Sequence, residues 1–583
     1  MDYVAQIGVF ICIFAILAGS FNLLVGFSGL FSLAHGAFFG IGAYAVALLT
    51  APTAGLLEAP LSLWLAMPLA VAIAAAFGML IAVPALRVHS DYLVVLSFGF
   101  QTVVVGIFLN WTDVTGGEGG VTGVPRPGFF GLGLVNPVHF LVYAVAVVVL
   151  CYLLFWRITV SPFGRMLRAI REDEVAAEAL GKYVVRSKVL VFAVASALAG
   201  VGGILFAQYV RVVDPASFTI NTSVEVLAML ILGGTGNMLG SALGAAILVA
   251  LPEVLRFLHI GEGNAEQIRQ IVFGLLLILM LRFRSQGLLP EYWMPAWLRR
   301  LRERRIREAA QAQGAGQLPE AILGRSGGAA GDGPLMVVET VSKSFGGIQA
   351  LREFSMELPA GRISGLIGPN GAGKTTAFNL ITGFLAPDSG RIWLRGREIT
   401  RSRPHELAAL GVSRSFQNLR LFHKMTVLDN VLVARPRQSG ESLWHTVLRP
   451  LATDRETERN RGVALDILGF VGLRSRALEL AENLSYAEEK LLALARMLAM
   501  EAELLLLDEP ASGLDPQSVE KLFGMIRELV QRGKTVCIIE HNLDVIKDLT
   551  HRVVYLDEGR AFAEGTPAAV MNNPELAERY FGA

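Results

Sequence analysis

The sequence predicts two fold classes in one chain: an N-terminal all-α membrane domain of about eight to ten transmembrane helices, then a C-terminal α/β domain with a P-loop. Three observations support this prediction. Hydrophobic residues make up 53% of the 583 residues and charged residues only 17%, a composition too apolar for an ordinary soluble protein. The long uncharged runs end near residue 290. The more polar second half contains the segment "GLIGPNGAGKTT".

Apolar runs of roughly 20 residues, the length that crosses a bilayer, mark the membrane domain. The first run lacks a basic region and a cleavage site, so we expect a transmembrane helix and not a cleaved signal. The stretch 223–258 fits either one bent helix or two short ones. The predicted spans lie near 5–26, 32–50, 62–86, 90–110, 138–156, 189–210, 223–237, 239–258 and 268–283.

Basic residues predict the orientation, because positively charged loops stay in the cytoplasm. The loop 157–188 carries Arg157, Arg165, Arg168, Arg171, Lys182, Arg186 and Lys188. Arg282, Arg284 and the basic run 299–307 place the end of the last span on the same side. About nine crossings then put the N-terminus outside and the C-terminus inside. The basic run fits either such anchoring or binding to anionic lipid headgroups.

The predicted domains are a membrane domain over 1–290, a basic segment and flexible linker over 291–334, and a nucleotide-binding domain over 335–583. The linker prediction rests on the Gly-, Ala- and Gln-rich stretch 309–334. Composition also excludes two function classes. Cys12, Cys151 and Cys537 have no metal or redox spacing. No run of charges crosses the membrane half, so an inorganic ion path is unsupported.

The P-loop is the most specific motif in the second half. Gly368, Gly373, Lys374 and Thr375 fit G-x-x-x-x-G-K-[ST], after the apolar strand "RISGLI" and before the helix "TTAFNLITGFL". Glycines let backbone N–H groups turn onto phosphate oxygens. We expect Lys374 to reach the β- and γ-phosphates of ATP and Thr375 to ligate Mg²⁺. Further predicted nucleotide contacts are Asn370, Gly371 and Thr376.

A second strand, "AELLLLDEP", ends in two acidic residues. Asp508, at the carboxyl end of the strand, is expected to hold Mg²⁺ through water. Glu509 is expected to polarise the attacking water. Beside a P-loop, this pair indicates phosphoryl transfer to water and not a merely structural strand end.

Six motifs in fixed order resemble the ATP-binding cassette (ABC) ATPase family over residues 335–583: the P-loop, "SFQNLRLF", "LSYAEE", "LLLLDEP", "SGLD" and "IIEHNLDVI". The resemblance implies that Phe345 stacks on adenine and that His541 contacts the γ-phosphate. It implies that Gln417 contacts Mg²⁺ or water and senses the membrane domain. Asp515 would face a partner ATPase, and Ser485 and Ala487 would contact the nucleotide held by that partner.

The signature "LSYAEE" departs from the family pattern at two positions. Ala487 replaces a glycine, and Glu488 replaces the usual glutamine. Alanine adds a methyl group where backbone must approach phosphate, and glutamate adds charge near an anion. We therefore expect the site that this signature completes to be weakened and not abolished.

Both halves also resemble subunits of bacterial branched-chain amino acid importers. The ATPase half does so in "RSFQNLRLFHKMTVLDNV" and its C-terminal tail. The membrane half does so in "FNLLVGFSGLFSLAHGAFFGIGAYAVALL", "TGGEGGVTGVPRP", "SPFGRMLRAIREDEVAAEALG", "ILGGTGNMLGSALGAAI" and "MLRFRSQGLL". The resemblance implies a permease subunit fused to its ATPase subunit in the inner membrane, with the ATPase in the cytoplasm.

The same resemblance implies the partners: a second permease subunit, a second ATPase subunit, a periplasmic substrate-binding protein and the lipid bilayer, with no nucleic acid. The implied substrate is a branched-chain or other hydrophobic amino acid. Urea, short amides and aromatic acids remain open as alternatives. A regulatory or channel-like protein with little ATP turnover is a further alternative, which the intact Lys374, Asp508, Glu509 and His541 argue against.

The loop 157–188 contains "EDEVAAEALG", which resembles the coupling helix of ABC importers. Arg171, Glu174 and Glu178 are its predicted rim contacts. An excursion of about 30 residues leaves no room for the cytoplasmic helix extensions typical of exporters. Four polar residues within predicted spans are candidates for the transport pathway or for helix packing: Asn22, His35, Glu225 and Glu253. The loop 115–127 fits a contact with a periplasmic binding protein, a segment that closes the pathway, or a Gly-rich turn.

Overall fold

A computed structural model describes residues 2–52, 60–85, 90–129, 132–257 and 333–573, with part of 271–293 and residues 318, 319 and 322. The chain forms two compact units. The first comprises residues 1–171, 184–298 and 442–448, and the second comprises 172–183, 299–441 and 449–583. Two short segments therefore cluster apart from their neighbours in sequence.

Helices form most of the first unit, joined by short strands. In chain order they are α1 (Asp2–Asn22), continued by a π-helical turn (Leu23–Phe27), α2 (His35–Thr50), α3 (Leu63–Ala85), α4 (Ser90–Asn110), α5 (Thr112–Thr115), β1 (Val121–Thr122), β2 (Gly128–Phe129), β3 (Leu132–Gly133), α6 (Pro137–Val160), α7 (Pro162–Glu172), α8 (Glu174–Ala179, in the second unit), α9 (Val184–Val210), β4 (Val212–Val213), α10 (Ile220–Gly233) and α11 (Met238–Phe257).

Five of these helices are long and apolar enough to cross a membrane, and a sixth span results if the bent pair α10–α11 counts as one. The five correspond to the predicted spans near 5–26, 62–86, 90–110, 138–156 and 189–210. The expected count of about nine is not reached among the described residues. Helix α2 has only 16 residues, and half of the predicted span 268–283 lies outside the described residues.

The stretch 223–258 forms two helices bent by 120° at the break between them. Asn22 accepts a hydrogen bond from the Gly236 N–H at 2.8 Å and donates to the carbonyl of Asn237 at 2.9 Å. It also lies 2.6 Å from Ser241 Oγ. A break inside an apolar unit frees backbone groups that need partners, so the buried Asn22 has a structural task here.

Small residues allow close helix packing, as the sequence predicts for α2. A Cβ on Gly42 would lie 2.4 Å from the backbone of Gly200 on α9, so the two helices approach at a distance that only glycine permits. His35, at the start of α2, is buried and lies 2.8 Å from Ser20 Oγ. The loop 115–127 includes β1, which pairs antiparallel with β4.

The second unit is built around two sheets. Its elements are β5 (Pro334–Phe345), β6 (Ile348–Pro359), β7 (Ile363–Ile367), α12 (Lys374–Ile381), β8 (Ser389–Leu394), β9 (Arg397–Glu398), α13 (Pro404–Ala409), β10 (Val412–Arg414), α14 (Val427–Ala434), α15 (Leu443–Leu448, in the first unit), α16 (Pro450–Val471), α17 (Tyr486–Ala499), β11 (Leu504–Asp508), α18 (Pro516–Gln531), β12 (Thr535–Ile539), α19 (Leu543–Leu549), β13 (Arg552–Asp557), β14 (Arg560–Gly565) and α20 (Pro567–Met571).

The larger sheet has the order β10-β11-β12-β7-β13-β14, and only β14 runs antiparallel. Strands β7, β11 and β12 are buried throughout and rich in Ile, Leu and Val, as parallel strands covered on both faces are. The four-stranded antiparallel sheet has the order β6-β5-β8-β9. Because parallel strands end at one edge, the loops after β7, β10, β11 and β12 lie together, where such sheets bind ligands.

The basic run 299–307, most of the linker 309–334 and the last ten residues of the tail lie outside the described residues. The three cysteines are free and buried.

Candidate functional site

The P-loop joins β7 to α12, and two of its glycines adopt conformations that other residues rarely reach. Gly368 has φ +151° and Gly373 has φ +106°. A Cβ on Gly368 would lie 2.0 Å from the Leu556 carbonyl oxygen, and one on Gly373 would lie 2.5 Å from that of Ala350. Both positions therefore require glycine. The loop surface is open: Asn370, Gly371 and Thr375 are exposed, and Thr376 is half-buried.

Lys374 begins α12 with its ammonium folded over the loop. Nζ donates to the carbonyl oxygens of Gly368 at 2.7 Å and Pro369 at 2.8 Å. Burial lowers the pKa of Lys374, while Glu509 and Asp508 act in the opposite direction. Both carboxylates thus lie near the phosphate-binding loop, as the sequence predicts.

Asp508 ends β11 and is buried, with a side chain 2% exposed. Its Oδ2 accepts from the Arg414 guanidinium at 3.3 Å, and its N–H donates to Ser415 Oγ at 3.0 Å. Burial raises the pKa of Asp508, and Arg414 opposes that rise. The sequence analysis did not identify Arg414, which lies at the end of β10. The signal that could have found it is its position directly before the motif that begins "SFQ".

Glu509 contacts both of the other residues that are predicted to be catalytic, His541 and Gln417. Its Oε1 lies 2.8 Å from His541 Nε2, and its Oε2 accepts from Gln417 Nε2 at 3.2 Å. Three loops supply these side chains, following β10, β11 and β12. The arrangement can hold a water beside a carboxylate and an imidazole, which is the chemistry that hydrolysis requires.

The backbone of Glu509 lies in the left-handed region, with φ +48°. Its N–H donates to the Ile539 carbonyl at 2.9 Å, and its own carbonyl accepts from Lys490 Nζ at 2.7 Å. Lys490 is buried and lies on α17, the signature helix. Burial lowers the pKa of Lys490, and Glu540 is the foremost group opposing it. Sequence reasoning missed Lys490, because a lysine in a signature helix looks like a surface residue.

Glu540 follows β12 and is a second missed residue. It is buried, and burial raises its pKa. Its carboxylate accepts from the N–H of Ala511 at 2.8 Å and from that of His541 at 3.3 Å. It thereby fixes the loop carrying His541 to the loop that follows Glu509.

A cleft of about 710 Å³ opens beside Glu509 and His541, between α18 and α19. Acidic side chains on its wall include Glu520, Asp544 and Asp548. The P-loop residues are not among the described lining of this cleft.

The signature turn begins α17. Ser485 Oγ accepts from the Glu488 N–H at 3.4 Å, and Glu488 Oε2 accepts from the Ser485 N–H at 2.9 Å, which is a capping box. The Ser485 hydroxyl also donates to Glu488 at 2.9 Å, and Arg476 lies 3.4 Å from this carboxylate. Hydrogen bonds from Ser485 and the charge of Arg476 lower the pKa of Glu488. Ala487, in the first turn, is half-buried.

Phe345 and Asp515 occupy exposed positions. Phe345 ends β5 and is 46% exposed, with Lys343 Nζ 5.8 Å from its ring centroid. It lies at the tip of the β5–β6 hairpin, whose Ala350 meets the P-loop. Asp515 caps α18, accepting from the N–H groups of Gln517 and Ser518 at 3.1 Å each. These bonds, with the Ser518 hydroxyl foremost, lower the pKa of Asp515.

The segment Glu172–Tyr183, which contains the predicted coupling helix, packs within the second unit. Asp173 accepts from Arg420 at 3.0 Å, and Glu178 lies 3.4 Å from His405 Nδ1. Lys182 is buried, donates to the Arg435 carbonyl at 3.0 Å and pairs with Glu441. Glu178 therefore makes a contact of the predicted kind.

For Arg171 the rim prediction is wrong. Its guanidinium pairs with Glu291 at 2.8 Å within the first unit. Glu172 takes a place in the second unit instead, where it accepts from the Lys424 N–H at 3.0 Å. Glu174 lies in the first turn of α8, behind the cap that Asp173 provides.

Arg420 connects this segment to the catalytic loops. Its guanidinium lies 5.4 Å from the ring of Phe416, the residue before Gln417. Its carbonyl accepts from Arg496 of α17 at 2.8 Å. Burial lowers the pKa of Arg496 to about 10, opposed by Asp173 and Glu172. One exposed arginine thus touches the 172–183 segment, the Gln417 loop and the signature helix.

The donor set fits Mg²⁺ better than a protein-caged metal. Among the described residues, no group of three or more His, Cys, Asp or Glu side chains is arranged to hold a metal ion. Mg²⁺ keeps several waters and binds through one or two carboxylates plus phosphates. Asp508, the Thr375 hydroxyl and the Gln417 amide are oxygen donors of that kind.

The two halves match two families. Residues 3–281 match the family described as "Branched-chain amino acid transport system / permease component", and residues 351–512 match "ABC transporter". The second match shows that the cassette binds ATP and that it belongs with the ATP-hydrolysing transporters.

Curated relatives repeat this division. The ATP-binding protein LivG of Salmonella typhimurium, named for high-affinity branched-chain amino acid transport, is 38% identical over 250 residues, which are 43% of this chain and 98% of that protein. LivG of Archaeoglobus fulgidus is 36% identical over 96% of its length and 43% of this chain. The permease protein LivM of Salmonella typhimurium is 34% identical over 311 residues, which are 48% of this chain and 68% of that protein.

The predictions of a helical membrane domain, of an ABC cassette and of their fusion are therefore confirmed. The permease match and the five apolar helices make this a membrane-embedded protein. The chain belongs to the branched-chain amino acid ABC transporter family, and it joins the permease component and the ATP-binding component in one polypeptide.

Proposed function

We propose that this chain is the membrane and ATPase subunit of an importer that couples ATP hydrolysis to the uptake of branched-chain or other hydrophobic amino acids. The observation that carries the proposal is the meeting of Gln417, Glu509 and His541 on a cassette covalently linked to a permease domain. The names of LivG and LivM support the substrate class.

In the proposed reaction, Phe345 stacks on adenine and the P-loop binds the phosphates, with Lys374 at the β- and γ-phosphates. Glu509 holds the attacking water and accepts its proton, and His541 contacts the γ-phosphate. Thr375, Asp508 and Gln417 would hold Mg²⁺, which neutralises phosphate charge when bound. The neighbouring carbonyls that hold Lys374 support this, because phosphate oxygens replace them readily as partners.

The proposed assembly contains a second permease subunit, a second ATPase subunit and a periplasmic binding protein, in a bacterial inner membrane with the cassette in the cytoplasm. In this proposal the chain consists of a membrane domain (1–290), a basic segment and linker (291–334) and a nucleotide-binding domain (335–583). Two ATP molecules lie between the ATPase subunits, and Asp515 and the Ser485–Ala487 turn face the partner. The exposed P-loop supports a site that a second subunit completes.

Reconstituted complexes test the proposal. We expect the complex, supplied with its binding protein and ATP, to accumulate leucine, isoleucine or valine in proteoliposomes. Glu509→Gln should lower ATP turnover at the site that uses the P-loop of this chain by at least about a hundredfold, because the general base of that site is lost. Unchanged turnover in this variant would refute the role of Glu509. Uptake of urea, an amide or an aromatic acid in place of these amino acids would refute the substrate class.

A further inference from the structure

Helix α15 (Leu443–Leu448) exposes an apolar face. Trp444 is 70% exposed, Leu448 69% and Val447 37%. The spacing of three and four residues places these side chains on one side of the helix, while Thr446 is fully buried on the other. Exposed apolar groups that cluster in this way mark an interaction site.

The helix belongs to the first unit although it lies within the cassette sequence. It packs against the last turns of α6, where Arg157 Nε donates to the Thr446 carbonyl at 2.8 Å. Helix α6 is one of the five candidate membrane spans and ends at Val160. Helix α15 therefore lies level with one end of a membrane-spanning helix, the depth of the lipid headgroups.

The exposed face of α6 indicates that lipid covers the apolar face of α15. Its exposed side chains follow a helical stripe that reaches this end of the span, through Val149, Leu153, Trp156 and Val160, each at least 50% exposed. Tryptophan near the end of a span is typical of a membrane–water interface. The apolar face of α15 thus belongs to a helix that packs on the end of a span whose own exposed side chains suit lipid.

We propose that α15 is an interfacial membrane anchor, with Trp444, Val447 and Leu448 inserted at the boundary between headgroups and acyl chains. Arg157 fixes its backbone from the protein side. Three side chains are too few for a stable protein interface, which buries roughly 800 Å² per partner, whereas a short apolar face is enough to dip into lipid. An inserted segment of the ATPase sequence therefore contacts the bilayer directly.

Fluorescence quenching in nanodiscs tests this proposal on the full chain with its partner subunits. A polarity-sensitive dye is attached to Leu448→Cys, and the matched control is Arg459→Cys on α16, an exposed position. The native cysteines are buried and so label poorly. Nitroxide placed at carbon 5 of the lipid chain should quench the Leu448→Cys dye by about twofold or more, because interfacial helices insert to that depth. The control dye should respond to aqueous iodide only.

Two outcomes would overturn the anchor. Quenching of the Leu448→Cys dye by iodide as strong as in the control would show a water-exposed helix. Protection from both quenchers would show that a protein subunit covers the face. A benzophenone amino acid in place of Trp444 provides a second readout: its photoproducts should be lipid adducts, and subunit cross-links in their place would contradict the proposal.

Discussion

Glu509 combines the carboxylate that we propose as the general base with a left-handed backbone, φ +48°, a conformation that costs a non-glycine residue about 1–2 kcal/mol. The buried Lys490 ammonium on the Glu509 carbonyl offsets that cost. The side chain is fixed independently, by His541 and Gln417. We therefore expect Lys490 to be a positioning residue that acts on the proposed reaction through the backbone of Glu509.

Lys490→Met should lower kcat for ATP hydrolysis about tenfold, because an unsatisfied buried carbonyl costs roughly 1–3 kcal/mol. The KM for ATP should change little, since none of the contacts of Lys490 involve the P-loop side chains. Lys490→Arg should recover part of the rate, because arginine can still donate to the carbonyl. Steady-state kinetics on the reconstituted complex measures both constants, and an unchanged kcat in Lys490→Met would contradict this role.

Within the signature helix, the unusual Glu488 completes a capping box with Ser485. Its pKa is lowered, so it stays charged at neutral pH beside the turn that, in the proposed assembly, faces the partner's nucleotide. The departure from the family pattern thus stabilises the helix start, and in that assembly it would place a negative charge near phosphate. Both effects arise from one side chain.

Glu488→Gln separates these effects. Glutamine can still accept from the Ser485 N–H, so the capping box and the helix start should persist. Loss of the charge should lower the KM for ATP severalfold at the site this signature completes, because like charges near an anion weaken its binding. Turnover of complexes carrying Glu509→Gln isolates that site. A higher KM would contradict the electrostatic argument.

Ala487→Gly is the companion test of the expected weakening. We expect ATP turnover at the same site to rise, since removing the methyl lets backbone approach phosphate. Glycine also costs up to about 1 kcal/mol of helix stability, so a rise would have to overcome that loss. Unchanged ATPase and uptake would show that Ala487 is neutral.

Strand β12 begins beside a buried charge. Lys534 is 1% exposed and donates to the Ala502 carbonyl at 2.7 Å, and burial lowers its pKa from 10.5 to about 8. Below pH 8 both folded and unfolded chains carry the charge, so its full burial cost is present. Between pH 8 and 10.5 the unfolded chain binds more protons, so stability rises with pH.

The rise should approach about 3 kcal/mol for this group alone. Lys534→Met should remove it, because methionine does not titrate. Hydrogen exchange of the β12 amides in the full chain, corrected for intrinsic rates and followed from pH 7.5 to 10, measures the effect. Equal pH profiles for the two proteins would contradict it.

Across the whole molecule, local sequence motifs predicted the site residues better than they predicted contacts between distant residues. The P-loop and Glu509 follow the two strands that the sequence predicts, whereas Gln417 and His541 were identified from the family motifs alone. In the structure all of them follow parallel strands, which bring their ends to one edge. The sequence does not show which backbone groups a distant side chain will reach, so the Lys490 bond was missed.

Helix geometry in the membrane domain was also harder to predict. Hydropathy gives apolar length but not direction. It therefore predicted a bend or a break within 223–258 but not the angle of 120° at Gly234–Asn237, and it did not predict the short α2. The hydrogen bonds of Asn22 to Gly236 and Asn237 could not be predicted, because they depend on the position of the break. Arg171 was misassigned because its partner Glu291 lies 120 residues away.

The 172–183 segment forms an ion pair with an arginine that follows the Gln417 loop. Asp173 pairs with Arg420 at 3.0 Å, and the two side chains are 20% and 40% exposed. Such a pair stabilises by only about 1 kcal/mol or less. The pair is important for its position, because Arg420 also contacts the Gln417 loop through Phe416 and the signature helix through Arg496.

Charge reversal tests whether this pair links transport to hydrolysis. Asp173→Arg places like charges together and should lower uptake by about fivefold to tenfold, with ATP turnover less sensitive to the binding protein. Combining it with Arg420→Asp restores attraction and should recover most of the uptake. Neither single change alters Glu509 or the P-loop, so binding of ATP should persist in all three proteins. A double variant as defective as the sum of the single ones would show that the two residues act independently.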